Sequence, residues 1–122
     1  MRTFFHPARE NIDLPTVLYA LSDPQRLKIV AQLAAAPDEM SVTECSGGQN
    51  TAKSTQSHHF KVLREAGVTR STPRGTKLMI SLRRADLEAR FPGLLDATLR
   101  AYHATMAEEA APEEDGDHVL ST

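Results

Sequence analysis

The stretch Thr51-Ala52-Lys53-Ser54-Thr55-Gln56-Ser57-His58-His59-Phe60-Lys61-Val62-Leu63-Arg64-Glu65-Ala66-Gly67 narrows the choice of fold more than any other part of the chain. Ala52, Phe60, Leu63 and Ala66 fall near one line at helical spacing, and Gln56 shares that line. Lys53, Ser57, Lys61 and Arg64 form the opposite stripe, with Ser54 and His58 beside its first two turns and no acid until Glu65. The pattern predicts a helix with one packing face and one face of short hydrogen-bonding side chains and positive charge. Such a face suits either a solvated surface or the groove of a duplex, where these groups reach base edges and phosphates. Asn50 or Thr51 is the expected cap, and Gly67 fits the left-handed position just past the helix end.

Beyond Gly67 the period changes. Residues 68–72 and 77–82 are strand-like, and Pro73-Arg74-Gly75-Thr76 reads as the turn between them, with Arg74 at the tip and Arg70 and Lys77 on the arms. Upstream, Asp13 or Leu14 opens a helix with Pro15 in its first turn. Ser22 or Asp23 caps a second helix begun by Pro24 and carried by Leu27, Ile29, Val30 and Leu33. Met40 and Val42 suit either a short strand or a short helix, which Gly47-Gly48 would end. After the hairpin, residues 83–91 form a helix. Pro92-Gly93 kinks or breaks it, and Leu94, Leu95, Thr98, Leu99, Tyr102 and Met106 continue an amphipathic helix.

A net charge of −2 argues at first against a polyanionic partner. Its distribution argues the other way: residues 1–50 carry −2, residues 51–100 carry +6 and residues 101–122 carry −6. Local charge governs binding to a polyanion. The single cysteine, Cys45, rules out a disulfide within the chain and fits a reducing cytoplasm. No apolar run approaches the roughly 18 residues of a membrane span, so no membrane role is expected. No nucleophile elbow, phosphate loop or metalloprotease helix is present, and an enzyme is not expected.

Helix, short helix, glycine-rich turn, polar-faced helix and charged hairpin is the layout of a winged helix-turn-helix. The expected class is mainly α with a small β-hairpin: four helices, the hairpin and a terminal helix. Residues 1–12 would be an irregular arm, 13–107 the domain and 108–122 an acidic, disordered tail. The polar-faced helix would then lie in the major groove, and the hairpin would run along the backbone or enter the minor groove.

Two separated motifs also resemble a known family. Leu21-Ser22-Asp23-Pro24-Gln25-Arg26-Leu27-Lys28-Ile29-Val30 looks like the opening signature of the ArsR/SmtB family of bacterial transcriptional repressors. Residues 53–68 are similar to that family's recognition helix and its exit, and Arg74-Gly75-Thr76 to its wing turn. The resemblance runs from about Leu14 to Ala101. It implies a homodimer pairing first and last helices, an imperfect palindromic promoter site, and release on a signal.

On these grounds the expected DNA contacts are Lys53, Ser54, Gln56, Ser57, His58, Lys61, Arg64, Arg70, Arg74 and Lys77. Lys53, Ser54, Ser57 and His58 are candidates for bases and the remaining cations for phosphates or the wing. Gln56 stands where the family usually packs an apolar side chain. It either reaches DNA or loosens the seat of its helix, and faster amide exchange in residues 41–58 than in 24–34 is expected. The dimer face would use Leu14, Leu18, Leu94, Leu95, Leu99 and Tyr102, with packing inside the subunit as the alternative.

No cofactor or metal is expected. His58 and His59 point about 100° apart on a helix, and His59 reads as a satisfied packing histidine. Ser41 and Thr43 replace the Cys-x-Cys pair of metal-sensing relatives, and Asp96, His103 and Glu108 miss the spacing of the other known set. Cys45 reads as a small buried hydrophobe or, alternatively, a redox-sensing thiol. The inducer would be an unidentified small molecule or a redox signal, or there is none. The rival to DNA binding is a winged-helix module that binds another protein.

Overall fold

The computed structural model describes residues 4–36, 38–46 and 52–110. Its elements are α1 (Leu14–Leu21), α2 (Pro24–Ala35), β1 (Met40–Ser41), α3 (Val42–Ser46), α4 (Lys53–Glu65), β2 (Thr69–Arg74), β3 (Lys77–Leu82), α5 (Arg84–Arg90) and α6 (Leu94–Ala110). The α1–α2 junction arises from local chemistry. Asp13 caps α1 by accepting from the Thr16 backbone N–H at 3.1 Å. Asp23 caps α2 by accepting from Gln25 N at 2.8 Å and Arg26 N at 3.2 Å, with Pro24 in the first turn.

One core joins Ile12, Val17, Leu21, Ile29, Val30, Leu33, Phe60, Leu63, Val68, Ile80 and Leu87. It is built where the helices turn their apolar stripes towards each other and the inner face of a three-stranded antiparallel sheet closes it. The sheet order is β1-β3-β2, so the short strand Met40–Ser41 extends the hairpin, pairing Met40 with Ile80. The hairpin itself pairs Thr69 with Leu82 through to Arg74 with Lys77, leaving a two-residue connection, Gly75-Thr76. Positive φ at Gly75 alone is what a type II′ connection requires. The turn is therefore tighter than four residues: Pro73 and Arg74 belong to β2, and Arg74 sits at the strand end instead of the tip.

Three other expectations change. The cap position of α4 is Ala52, exposed and with no capping side chain, so Ala52 adds nothing to the packing face; Asn50 and Thr51 lie outside the described residues, as does Gly47-Gly48. Of the kink or break expected at Pro92-Gly93, the chain makes the break, with Phe91, Pro92 and Gly93 separating α5 from α6. The last helix continues through Ala110, past the expected boundary at 107, since Ala107, Glu108, Glu109 and Ala110 are all good helix formers; residues 111–122 lie outside the described part. The arm at 1–12 is not wholly irregular, because Arg9–Asn11 forms a 3-10 turn and Ile12 is buried at 1% exposure.

Gly67 ends α4 with both bonds of a Schellman motif, Val68 N–H to Leu63 O at 3.0 Å and Gly67 N–H to Arg64 O at 3.1 Å. Its φ is +89°. That geometry delivers Val68 to the core and starts β2 directly beside α4, which sets the wing against the helix.

Candidate nucleic-acid interface

The helix α4 is held from below by His59, Phe60 and Leu63, all buried. At 100° per residue, Ser54, Ser57, His58 and Lys61 point the opposite way, and all four are exposed. Lys53 and Thr55 flank that face and are exposed too. Thr55 adds a short hydroxyl to the same outward surface, one that periodicity does not single out. Gln56, one turn before Phe60 on the packing face, is half-buried.

The seat is a polar junction of three helices. Arg26 is buried at 5% exposure. Its Nε donates to Ala20 O at 2.7 Å and its Nη2 to Tyr19 O at 3.2 Å, so it satisfies the last carbonyls of α1. Its Nη1 lies 3.2 Å from His59 Nδ1. Arginine can only donate, so Nδ1 accepts and the imidazole proton sits on Nε2. Nε2 in turn faces the Asp23 carboxylate at 3.8 Å. His59 is thus the satisfied packing histidine expected from its position. Burial, with Arg26 and His58 adding to it against Asp23, holds its pKa below the usual histidine value. Arg26 belongs to the α2 signature, but nothing local reveals that it reaches a residue 33 positions away.

The N-terminal arm is tied to the far end of α4 and to the wing. Phe4 lies under the Arg64 guanidinium, 4.9 Å from ring centroid to Cζ. The Ser71 N–H of the edge strand β2 donates to His6 Nε2 at 3.0 Å. Arg64 is half-buried, with its guanidinium stacked on the arm. Arg74 departs from expectation: its Nε donates to Glu39 at 2.7 Å. Arg70 and Lys77 stay exposed on the wing, with Arg70 lying 3.9 Å from Asp86.

Part of the +6 in residues 51–100 is structural. Arg83 is buried, donating to Pro7 O at 2.8 Å and to Asp86 at 2.9 Å. Arg84 donates to Ala34 O at 2.7 Å, capping α2, and Arg90 donates to Ile12 O at 2.7 Å. Asp86 collects Arg9 and Arg83, which hold its carboxyl below the usual range. Lys53 and Lys61 on α4 and Arg70, Arg74 and Lys77 on the wing are exposed, with Lys61 3.8 Å from Glu65.

Cys45 is fully buried, and burial, with nearby Glu44, pushes its thiol up to about 11. A reactive thiol needs exposure and a stabilised thiolate; Cys45 has neither, so the redox reading gives way to a core residue. Among the described residues, no helix is long and apolar enough to cross a membrane.

Two consequences are measurable. His6 and His59 both have lowered pKa values, His6 through burial and the facing Arg70, Arg83 and Arg64. Each folded-state value lies below the unfolded one, near 6.5, so the neutral forms stabilise the fold above that pH. Stability is then lost as pH falls from about 6.5 towards the folded values. Urea midpoints should drop across that window, and less steeply in His59→Leu; a flat profile would exclude the linkage. Second, the first turn of α4 lacks a cap and its residues 52–55 are exposed. Amide exchange should be faster at 53–56 than at 29–33, and equal rates would show that the turn is as firmly seated as α2.

The bacterial regulatory protein family arsR matches by its family model over residues 23–71, the span from the cap of α2 into β2. A relative, the uncharacterized HTH-type transcriptional regulator YceK of Bacillus subtilis, is 38% identical over 80 residues, covering 66% of this chain and 80% of its own length. Among solved structures, the transcriptional repressor BigR from Xylella fastidiosa shares 27% identity at a TM-score of 0.57, covering 72% of this chain and 84% of that one. HlyU from Vibrio cholerae shares the fold at 23% identity and a TM-score of 0.59, covering 72% and 89%. With the helix-turn-helix, the outward polar face of α4 and a basic wing all inside or adjoining the matched span, the chain belongs to the arsR family of bacterial regulatory proteins and is a DNA-binding transcriptional regulator, not an enzyme.

Proposed function

We propose that the protein is a homodimeric repressor that binds an imperfect palindrome in duplex DNA. The observation that carries this reading is the outward face of α4, where Ser54, Ser57, His58 and Lys61 stand exposed above a fully packed seat, with Lys77, Arg70 and Arg74 on the adjoining wing. Lys53, Ser54, Ser57 and His58 would meet base edges in the major groove, with Gln56 and Thr55 at the edges of the contact. Lys61, Arg70, Arg74 and Lys77 would meet phosphates, and Arg64 would join them only on leaving Phe4. Glu39 then competes with phosphate for Arg74, so Glu39→Gln should tighten binding.

The dimer would form across α1 and α6. Leu14 and Leu18 are 41% and 46% exposed, unusual for leucines on a helix whose other face is fully buried. Leu94, Leu95 and Leu99 are half-buried against the core and leave their outer edges to a second subunit, beside Tyr102. Two-fold pairing would place two α4 helices about 34–36 Å apart, one turn of DNA.

A salt titration of duplex binding tests the whole reading. Affinity should fall with a log–log slope of roughly −0.9 per phosphate neutralised, and Lys77→Ala should reduce the slope by about one for each subunit. Salt-independent binding, or no effect of Lys53→Ala and Lys77→Ala together, would leave protein recognition as the use of this face. Sedimentation should give a dimer that Leu18→Glu dissociates; a monomeric wild-type chain would overturn the two-fold arrangement.

A further inference from the structure

We propose that the N-terminal strap, residues 4–7, is an autoinhibitory clasp that covers Arg64 of α4, with His6 as its acid-released pin on the wing. The effect on DNA rests on the DNA-binding reading above; the clasp itself does not.

Residues 4–8 have no regular secondary structure, so single contacts hold them. Phe4 and His6 turn towards the body of the protein, while Phe5 between them is 65% exposed, the alternation of an extended chain. Phe4 stacks on the Arg64 guanidinium, with its ring centroid 4.9 Å from Cζ. Two residues on, His6 Nε2 accepts from the Ser71 N–H at 3.0 Å. Since β2 is the edge strand, that N–H has no neighbouring strand to pair with. Pro7 is buried, and its carbonyl accepts from Arg83 at 2.8 Å. Pro7 therefore anchors the strap, and Phe4 and His6 are the part that can lift.

Arg64 is what the clasp covers. It continues the row of Lys53, Ser57 and Lys61 along the outward stripe of α4. Those three are exposed, whereas Arg64 is half-buried. Its Nε is buried with no hydrogen-bond partner. That state costs free energy, which a phosphate oxygen would recover once Phe4 leaves and the guanidinium turns outward. Arg64 is thus a phosphate contact held in reserve by an aromatic ring.

His6 sets the condition for release. Its Nε2 accepts only while the ring is neutral. Protonation would set one N–H against another, facing Arg64 of α4, Arg70 of β2 and Arg83 ahead of α5. The acid in that corner is Asp86 of α5, already shared by Arg9 at 2.7 Å, Arg83 at 2.9 Å and Arg70 at 3.9 Å. Burial, with Arg70, Arg83 and Arg64 adding to it, holds the His6 pKa below the usual histidine value. The pin is therefore closed at neutral pH and lets go below about 6.5.

The chain contains no tryptophan, so Phe4→Trp places a single fluorophore on the clasp and keeps an aromatic face for Arg64. In the full-length protein its emission should move to the red between pH 7.5 and 5.5, as the indole meets water. Added to it, His6→Gln accepts from Ser71 without titrating and should hold the clasped emission throughout. His6→Ala should give the lifted emission even at pH 7.5. Circular dichroism establishes that each variant is folded at each pH. A red shift that His6→Gln shares, or none in either the acid or the His6→Ala experiment, overturns the pin. On duplex DNA at pH 7.5, Phe4→Ala and His6→Ala should each tighten binding about tenfold, roughly the worth of one charge-assisted contact. The salt slope should steepen by about 0.9 for each phosphate gained. Arg64→Ala should cost more affinity in the Phe4→Ala background than in wild type. Unchanged or weaker binding by both strap variants, or an equal cost of Arg64→Ala in the two backgrounds, overturns the autoinhibition. Failure of every variant to bind duplex overturns the DNA-binding reading and leaves the clasp to be decided by the fluorescence.

Discussion

Arg26→Met will destabilise the fold by about 2–4 kcal/mol and weaken DNA binding beyond what unfolding accounts for. The substitution keeps the aliphatic stem and removes the guanidinium. It leaves Ala20 O and His59 Nδ1 without that donor, while Tyr19 O keeps the Ser22 N–H and hydroxyl. Each orphaned buried group costs about 1–3 kcal/mol, offset in part by no longer burying a charge. The offset is why the expected loss is below the simple sum. Urea denaturation would measure it, and a loss under about 1 kcal/mol would show that water replaces the guanidinium. A second readout separates this role from general packing. Arg26 is one cause of the lowered pKa of His59, so the histidine should titrate closer to its ordinary value in the variant, as seen by its ring proton shifts.

That junction marks the limit of what is legible in the chain. Asp23-Pro24, Gly67 and the outward face of α4 are local signals, since a cap, a left-handed turn and a helical period involve neighbours within a few residues. They place α1, α2, α4 and the hairpin strands to within a residue or two. The contacts that qualify the site are distant pairs: Arg26 with His59, Arg74 with Glu39, Ser71 with His6, Arg90 with Ile12. Periodicity carries no information about these. A count of charges therefore overestimates the free cations, because Arg83, Arg84 and Arg90 serve backbone carbonyls. Buried carbonyls in turns and at helix ends need donors, and long arginines supply them here, a use that looks identical in sequence to a phosphate contact. Ile12 is invisible to pattern for a related reason: it stands alone, outside any amphipathic run, and is buried by entering the common core beside Gly67.

That meeting yields the other large effect. Gly67→Ala should destabilise the protein by about 2–5 kcal/mol, from two separable causes. The first is conformational: φ is +89°, where a side chain costs about 1–2 kcal/mol. The second is steric. A Cβ at Gly67 would lie 2.6 Å from Ile12 Cγ1 and 2.7 Å from Cδ1, and Ile12 is 1% exposed with no room to turn away. Gly93 provides the control, for its φ is +83° while a Cβ there meets nothing within 4 Å. Gly93→Ala should show the backbone cost alone, and the excess at position 67 measures the collision. Ile12→Ala should be less damaging in the Gly67→Ala background than in wild type, since it removes Cγ1, Cδ1 and Cγ2, the atoms that the new Cβ meets. Strictly additive changes would mean that the backbone, and not Ile12, determines the glycine. Because Gly67 also sets the angle at which β2 leaves α4, Gly67→Ala should cost duplex affinity even at temperatures where it is fully folded. Gly93→Ala, far from that exit in sequence, should not.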